Sequence, residues 1–150
     1  MFRGVSNLSL DAKGRVAIPA RYRESLRASD EGRLIVTIGL DGCLFVYPQT
    51  TWEGIETALM ALPNMDANTR AVQRLLVGYA TDVEMDSQSR ILIAPSLRDH
   101  AKLGKHVVLV GQGNKFELWD ESIWASKREE WLQADGLAQG LNEALASLSL

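Results

Sequence analysis

At 150 residues, with 46% hydrophobic and 23% charged positions, the chain is long enough for one domain with its own core and falls in the ordinary globular range. No apolar run approaches the roughly 20 residues of a membrane-spanning helix, and Met1-Phe2-Arg3-Gly4 carries neither an apolar leader nor a cleavage signal, so a soluble cytoplasmic protein is expected. A net charge of -3 argues against a uniformly basic surface for a polyanion.

The distribution of charge qualifies that exclusion. Residues 1–27 hold six Lys and Arg against two acidic residues, whereas residues 117–150 hold seven acidic residues against two basic ones. The chain has a basic head and an acidic tail.

In chain order, the alternating Leu8 and Leu10 lead into a polar turn, Asp11-Ala12-Lys13-Gly14-Arg15, followed by the apolar run Val16-Ala17-Ile18 and then Pro19. The Asp11 carboxylate can accept nearby backbone amides, and Gly14 supplies the positive φ that a tight turn needs. This pattern predicts a β-hairpin with Lys13 and Arg15 at or beside its tip. Pro19 then starts a short helix carrying Arg21, Tyr22 and Leu26. Two strands follow, Leu34–Ile38 and Cys43–Tyr47, joined at the Asp41-Gly42 pair, a strong hairpin signal. Trp52, Ile55 and Leu59 recur at helical spacing as far as Pro63. Asp66 opens a second helix, whose Val72, Leu75, Leu76 and Tyr79 follow the i, i+3, i+4, i+7 pattern of a buried face.

The turn then recurs as Asp86-Ser87-Gln88-Ser89-Arg90, entered by Val83 and Met85 and left by Ile91-Leu92-Ile93-Ala94-Pro95. At this offset of 75 residues Asp11 falls on Asp86, Arg15 on Arg90, Ile18 on Ile93 and Arg23 on Arg98. After a connection three residues shorter, the offset becomes 72, with Tyr47 on Trp119, Gln49 on Glu121 and Trp52 on Trp124. Asp, Arg, Arg and Trp recurring in order with one small gap mark a duplicated unit. The expected halves are 1–76 and 77–150, forming one compact pseudo-twofold body. A long helix from Ser122 is expected to reach about Asp135, with Leu141, Leu145 and Leu148 continuing its pattern less cleanly.

Little in the chain suggests catalysis. His100 and His106 stand at no zinc spacing and without a Cys pair, and no phosphate-cradling Gly loop or nucleophile elbow occurs. Asp11 and Asp86 could be paired carboxylates for acid-base work, but a turn-forming acceptor that tethers the Arg four residues on explains them better. Cys43 reads as a small core thiol. No enzyme, cofactor or metal site is expected. Lys13 and Arg15 admit two readings, a tip that reads guanine edges or a solvated turn with an Asp11–Arg15 ion pair. Arg21, Arg23 and Arg27 are either ordinary surface residues or phosphate contacts. Trp52, Trp119, Trp124 and Trp131 favour packing over base stacking, with Trp124 and Trp131 at an interior or subunit face.

At the residues just quoted the chain resembles the MraZ family of bacterial transcriptional regulators, grouped with AbrB-like swapped-hairpin DNA-binding proteins. The doubled Asp-x-x-x-Arg motif at Asp11–Arg15 and Asp86–Arg90, the opening Met1-Phe2-Arg3-Gly4 and the run 14–23 carry the resemblance. It implies a mainly β α+β fold of two tandem swapped-hairpin barrel units with short helices and a C-terminal helix. It further implies a ring-shaped homo-oligomer that represses the division and cell-wall gene cluster by binding promoter direct repeats in double-stranded DNA, in the cytoplasm and nucleoid. The family's reading Arg and neighbouring Lys carry over to Arg15 and Lys13, with Arg3, Arg21 and Arg23 as further DNA contacts. Asp11, Gly14 and Asp86 are turn-structural. Gln88 and Ser89 replace the Lys and Gly in the second copy, so Arg90 and Gln88 are weaker candidates and that hairpin serves mainly shape. The alternatives are an oligomeric interaction scaffold using the acidic C-terminal helix, and an antitoxin. The latter is disfavoured because such chains usually carry one copy and a disordered tail.

Overall fold

A computed structural model describes residues 1–133, 145, 147 and 148. The first half contains β1 (Phe2–Ser9), β2 (Arg15–Ala17), α1 (Ala20–Asp30), β3 (Arg33–Ile38), β4 (Leu44–Pro48), α2 (Gln49–Ala61) and α3 (Ala67–Leu76). The second contains β5 (Thr81–Glu84), β6 (Arg90–Leu92), α4 (Pro95–His100), β7 (His106–Gly113), β8 (Phe116–Asp120) and α5 (Glu121–Gln133). Apart from α3, which connects the halves, this is the order expected for a duplicated unit. The predicted helix end near Asp135 and Leu141 lie outside the described residues.

The pairing differs from two local hairpins. β1 does not pair with β2, nor β5 with β6. Six strands form one antiparallel sheet in the order β1-β7-β8-β4-β3-β5, and β2 pairs with β6 in a separate two-stranded ribbon. Thus β1 lies against β7 of the other half and β5 against β3, with Phe2 opposite Gly113 and Arg33 opposite Glu84. The centre of the sheet is the β4–β8 pair, one strand from each half. Closed barrel units are not formed; the sheet is open, with β1 and β5 at its edges. The physical reason is that each turn leads its second strand out of the sheet plane, because Val16 and Ile91 must reach the core that both halves share.

Period-two alternation decides what lies on each face of the sheet. Leu34, Val36 and Ile38 of β3, Leu44 and Val46 of β4, Val107 and Leu109 of β7, and Phe116 and Leu118 of β8 point to one side. There they meet Val16, Ile18, Tyr22, Leu26, Ile91, Ile93 and Leu97 from the ribbon, α1 and α4, so a single main core joins the halves. Ile35 and Tyr47 point to the other side, where Trp52 of α2 and Leu76 of α3 cover them. Val108 and Trp119 do the same beneath α5 with Cys43 and Trp124. β3 is therefore buried on both faces, and Thr37 satisfies its hydroxyl by donating to the Leu76 carbonyl at 2.6 Å. Between β3 and β4, Asp41 and Gly42 both take positive φ, 66° and 93°, as the mirror-image hairpin turn requires.

Each layer of helices starts where the sequence says it should. Pro19 stands immediately before α1 at its N-cap position, Asp66 caps α3 by accepting from the Asn68 N–H at 3.3 Å, and Pro95 occupies the first turn of α4. One expectation fails. Val72, Leu75 and Tyr79 are 40%, 47% and 41% exposed, and only Leu76 of the predicted buried face packs inward. The helical period is correct, but the neighbour that would cover the rest of this face is not in the same chain's described residues.

Candidate nucleic-acid interface

The two Asp-x-x-x-Arg turns are built alike. In the first, Asp11 Oδ1 accepts from the N–H groups of Lys13 and Arg15, both at 2.9 Å, and Oδ2 accepts from Arg15 Nε at 2.7 Å. The backbone closes through Asp11 N–H to Arg15 O at 2.9 Å and Gly14 N–H to Asp11 O at 3.0 Å. In the second, Asp86 Oδ1 accepts from Gln88 and Arg90 N–H at 2.9 Å, and Oδ2 accepts from Arg90 Nε at 3.0 Å. The residue before each Arg has positive φ, 84° at Gly14 and 61° at Ser89. The carboxylate thus forms the turn and aims the guanidinium with one side chain.

Donation from the Arg15 backbone N–H, reinforced by its side chain and by Lys13 N–H, holds the Asp11 carboxyl down from an ordinary 3.8 to about 2. Asp86 is lowered chiefly by the Arg90 backbone N–H. Both carboxyls are thus favoured in the ionised form that accepts these bonds. Because the folded pKa lies below the ordinary one, the support Asp11 gives the turn is complete above about pH 4 and is lost as pH falls through about 2. Carboxyl-carbon NMR should place the Asp11 midpoint near 2; a midpoint near 4 would mean the tether does not exist in solution.

The ribbon then orients the arginines. Arg15 pairs with Leu92, Val16 with Ile91 and Ala17 with Arg90. Ile93 N–H to Gly14 O and Ile18 N–H to Ser89 O, both at 2.8 Å, extend it so that one turn stands at each end. Val16 and Ile91 are in the core, so the alternate pairs face outward. Arg15 and Arg90 therefore share one outer face with Leu92, which is 53% exposed. Arg90 Nη1 lies 3.9 Å from Asp11 Oδ2, which places the Asp11 carboxylate between two guanidinium groups from different halves. Lys13 and Gln88 are exposed at the two turns.

The structure places the remaining predicted cations elsewhere. Arg21 donates to Ser6 Oγ at 2.7 Å and lies over the Tyr22 ring at 4.8 Å. Arg23 donates through Nε to the Ile18 carbonyl at 2.7 Å, at the end of β2. Arg3 pairs opposite Gln112 at the far end of β1, about 25 Å of extended strand from Asp11. Lys13, Arg15, Gln88 and Arg90 are thus brought together on the ribbon, and Arg3 is not. Two further cations touch the turns: Arg27, for which the sequence leaves surface and phosphate-contact readings both open, and Arg98, to which it assigns no role. Arg27 donates to the Asp86 carbonyl at 3.0 Å, and the Arg98 guanidinium packs on Gly14. The signal for Arg98 is its equivalence to Arg23 in the repeat.

Elsewhere the side chains serve packing. Cys43 is buried, donates to the Leu40 carbonyl at 3.2 Å, and burial pushes its thiol up to about 12, which leaves no thiolate for chemistry. Trp52 and Trp119 are fully buried. Trp119, Trp124 and Trp131 form an aromatic cluster with ring centroids 5.8 to 5.9 Å apart, of which Trp131 keeps an exposed side. His100 and His106 are exposed, and among the described residues no three His, Cys, Asp or Glu side chains are grouped to hold a metal.

Residues 1–75 and 76–145 each match the family described as "MraZ protein, putative antitoxin-like", a division that falls between the two turns. The chain is 59% identical over 150 residues to the Transcriptional regulator MraZ of Thioalkalivibrio sulfidiphilus (strain HL-EbGR7), covering 100% of both chains. It is 51% identical over 150 residues to the protein of that name from Hydrogenovibrio crunogenus (strain DSM 25203 / XCL-2), covering 99% of this chain and 98% of the relative. It is 52% identical over 153 residues to that of Coxiella burnetii (strain Dugway 5J108-111), with 100% of both covered. These relatives are named for regulation of transcription, not for catalysis. With both halves matched and full-length relatives more than half identical, the chain belongs to the MraZ family.

Proposed function

We propose that the protein is a sequence-specific, double-stranded DNA-binding regulator of transcription that reads base edges from the β2–β6 ribbon. The observation that carries this reading is the shared outer face of Arg15 and Arg90, each guanidinium fixed by its own Asp on a rigid two-stranded ribbon. Such a ribbon fits the major groove, and Arg offers paired donors to the O6 and N7 acceptors of guanine. Lys13 adds a mobile charge at one end. Arg21, bound to Ser6 of β1, and Arg23, bound to the Ile18 carbonyl just past β2, are further candidate phosphate contacts away from the reading face. The relatives' naming as transcriptional regulators agrees with this chemistry.

The division of the chain into repeats 1–76 and 77–150 is part of the same reading. Pairing of β1 with β7 and of β5 with β3 supports a swapped arrangement of the AbrB-like kind, in which one chain supplies both exchanging units. In this arrangement the second repeat does more than preserve shape, because Arg90 stands beside Asp11 on the reading face.

One ribbon with two or three cations on a chain of net charge -3 binds weakly by itself. A homo-oligomeric ring that presents several ribbons gains avidity of about 10² to 10⁴ when direct repeats in a promoter match their spacing. The exposed apolar residues Val72, Leu75 and Tyr79 of the α3 region support contact between copies. Repression of a division and cell-wall gene cluster, including the protein's own gene, is the regulatory output that this family reading implies.

The test is to select DNA with the purified protein and then respace the selected repeats. Insertion of half a helical turn, about 5 base pairs, should cut affinity by at least tenfold, and a full turn of about 10 should largely restore it. Binding indifferent to respacing would sink the multi-ribbon reading.

A further inference from the structure

The repeat is not symmetric around its two turns, and the asymmetry lies in a cation that recognition of bases does not use. A Cβ built on Gly14 would stand 2.8 Å from Arg98 Cζ and 2.9 Å from its Nε, so the guanidinium rests directly on the backbone of the first turn. A side chain at position 14 would displace the Arg98 guanidinium and would be strained by the positive φ. In the second turn the equivalent position is Ser89, which carries a side chain where Gly14 has none, and the equivalent cation, Arg23, gives its Nε to the Ile18 carbonyl. Arg98 has no such acceptor. Its Nε is the one buried side-chain polar atom without a hydrogen-bond partner among the described residues.

The surroundings fit an incoming anion. Arg98 lines an open cleft of about 500 Å³ together with Leu10, Asp11, Leu103, Gly104 and Lys105. Lys105 is an exposed second cation there. The acidic group facing the cleft is Asp11, whose carboxylate already accepts three donors from Lys13 and Arg15. Nε itself is out of reach of solvent, packed on the Gly14 backbone, so an anionic oxygen entering the cleft would be met by the outer nitrogens of the same guanidinium.

We propose that Arg98, contributed by the second repeat, is a phosphate anchor that grips the DNA backbone beside the bases addressed by Lys13 and Arg15 of the first, with Lys105 as its neighbour. This rests on the DNA-binding reading above and adds a residue with a different duty. Arg15 discriminates between sequences, whereas Arg98 fixes the ribbon's register on the backbone of any sequence. It also makes the first turn the anchored end of the ribbon and the second turn the unanchored one.

Salt dependence separates the two duties. Binding to a selected duplex and to a scrambled one should be titrated by fluorescence anisotropy across a series of NaCl concentrations. Arg98→Gln should weaken both complexes by the same factor, about tenfold at about 0.15 M salt. It should also reduce the slope of log affinity against log salt by about 0.9 for each phosphate that is no longer neutralised. Arg98→Lys should retain the wild-type slope. Arg15→Ala should instead reduce the ratio between the two duplexes. An Arg98→Gln protein that folds normally and keeps the wild-type slope would overturn the assignment.

A second measurement needs no variant at Arg98. Single methylphosphonate substitutions along the selected duplex should reveal one neutralised phosphate, just outside the base pair whose preference Arg15→Ala relaxes, that costs wild-type affinity about tenfold. Absence of any such phosphate overturns the proposal. Wild-type protein that does not distinguish selected from scrambled duplex overturns the DNA-reading proposal itself, and so is a separable failure.

Discussion

Arg15→Ala should abolish retention of the selected duplex while leaving the circular-dichroism spectrum and the elution volume of the protein unchanged. The fold does not depend on this side chain, because its ion pair with Asp11 lies at the surface, where such pairs contribute about 0 to 1 kcal/mol. On the proposed reading binding depends on it, because a bidentate Arg–guanine contact is worth about 1 to 3 kcal/mol of discrimination and the loss would repeat at every ribbon engaged by an oligomer. Arg90→Ala should also weaken binding, since Arg90 faces the same way from the adjacent strand, but by less. The second turn presents Gln88 where the first presents Lys13, so less charge accompanies Arg90 to the DNA. Undiminished retention by Arg15→Ala in a gel shift would remove the ribbon from the interface. Unchanged binding by Arg90→Ala alone would return the second turn to a purely architectural role.

Phe116→Ala should destabilise the whole chain by about 3 to 5 kcal/mol, a large part of the about 5 to 15 kcal/mol that domains of this kind possess. Phe116 is fully buried in β8, stacked on Phe2 with centroids 4.3 Å apart and edge-on to Tyr22 at 4.8 Å. Those partners come from the other half of the chain, and the Tyr22 hydroxyl in turn donates to the Arg3 carbonyl. The cavity would therefore loosen both repeats at once. In urea the midpoint should fall by about 2 M, with a single transition followed by both tryptophan fluorescence and far-UV circular dichroism. Two separated transitions would mean that the repeats keep independent cores, against the shared cluster that Leu34, Val46, Ile91, Leu109 and Phe116 form here.

What could be read directly from the residues was local. Asp11 and Asp86 announced turns because a short carboxylate four positions before an Arg can reach the intervening amides, and the structure shows those bonds. Pro19, Asp66 and Pro95 marked helix starts for equally local reasons, and the apolar runs Leu34–Ile38 and Cys43–Tyr47 foretold strands. The repeat was legible because its charged landmarks kept their order. Cys43 as a core thiol also followed from its apolar neighbours, although the depth of its burial did not.

The misreadings share one cause, which is that neighbours distant in sequence decided the outcome. A hairpin was expected at 8–18, since consecutive strands usually pair; instead β2 met β6 and β1 met β7, because only that exchange buries Val16 and Ile91 together over the sheet. The apolar period of 72–79 was real, but period identifies a face without identifying what covers it. Arg98 carried no signal of its own beyond its place in the repeat, yet it touches Gly14 across the repeat boundary.

The sequence by itself determined the elements, the two Asp-anchored turns and the kinship of the halves, since each rests on residues within a few positions of one another or on landmarks kept in order. Tertiary structure alone decided that Arg15 and Arg90 share one face, with the Asp11 carboxylate between them and Arg98 packed beneath the first turn. That arrangement is set by which strands pair across the duplication, and pairing depends on the joint burial of side chains from both halves, which no local stretch encodes.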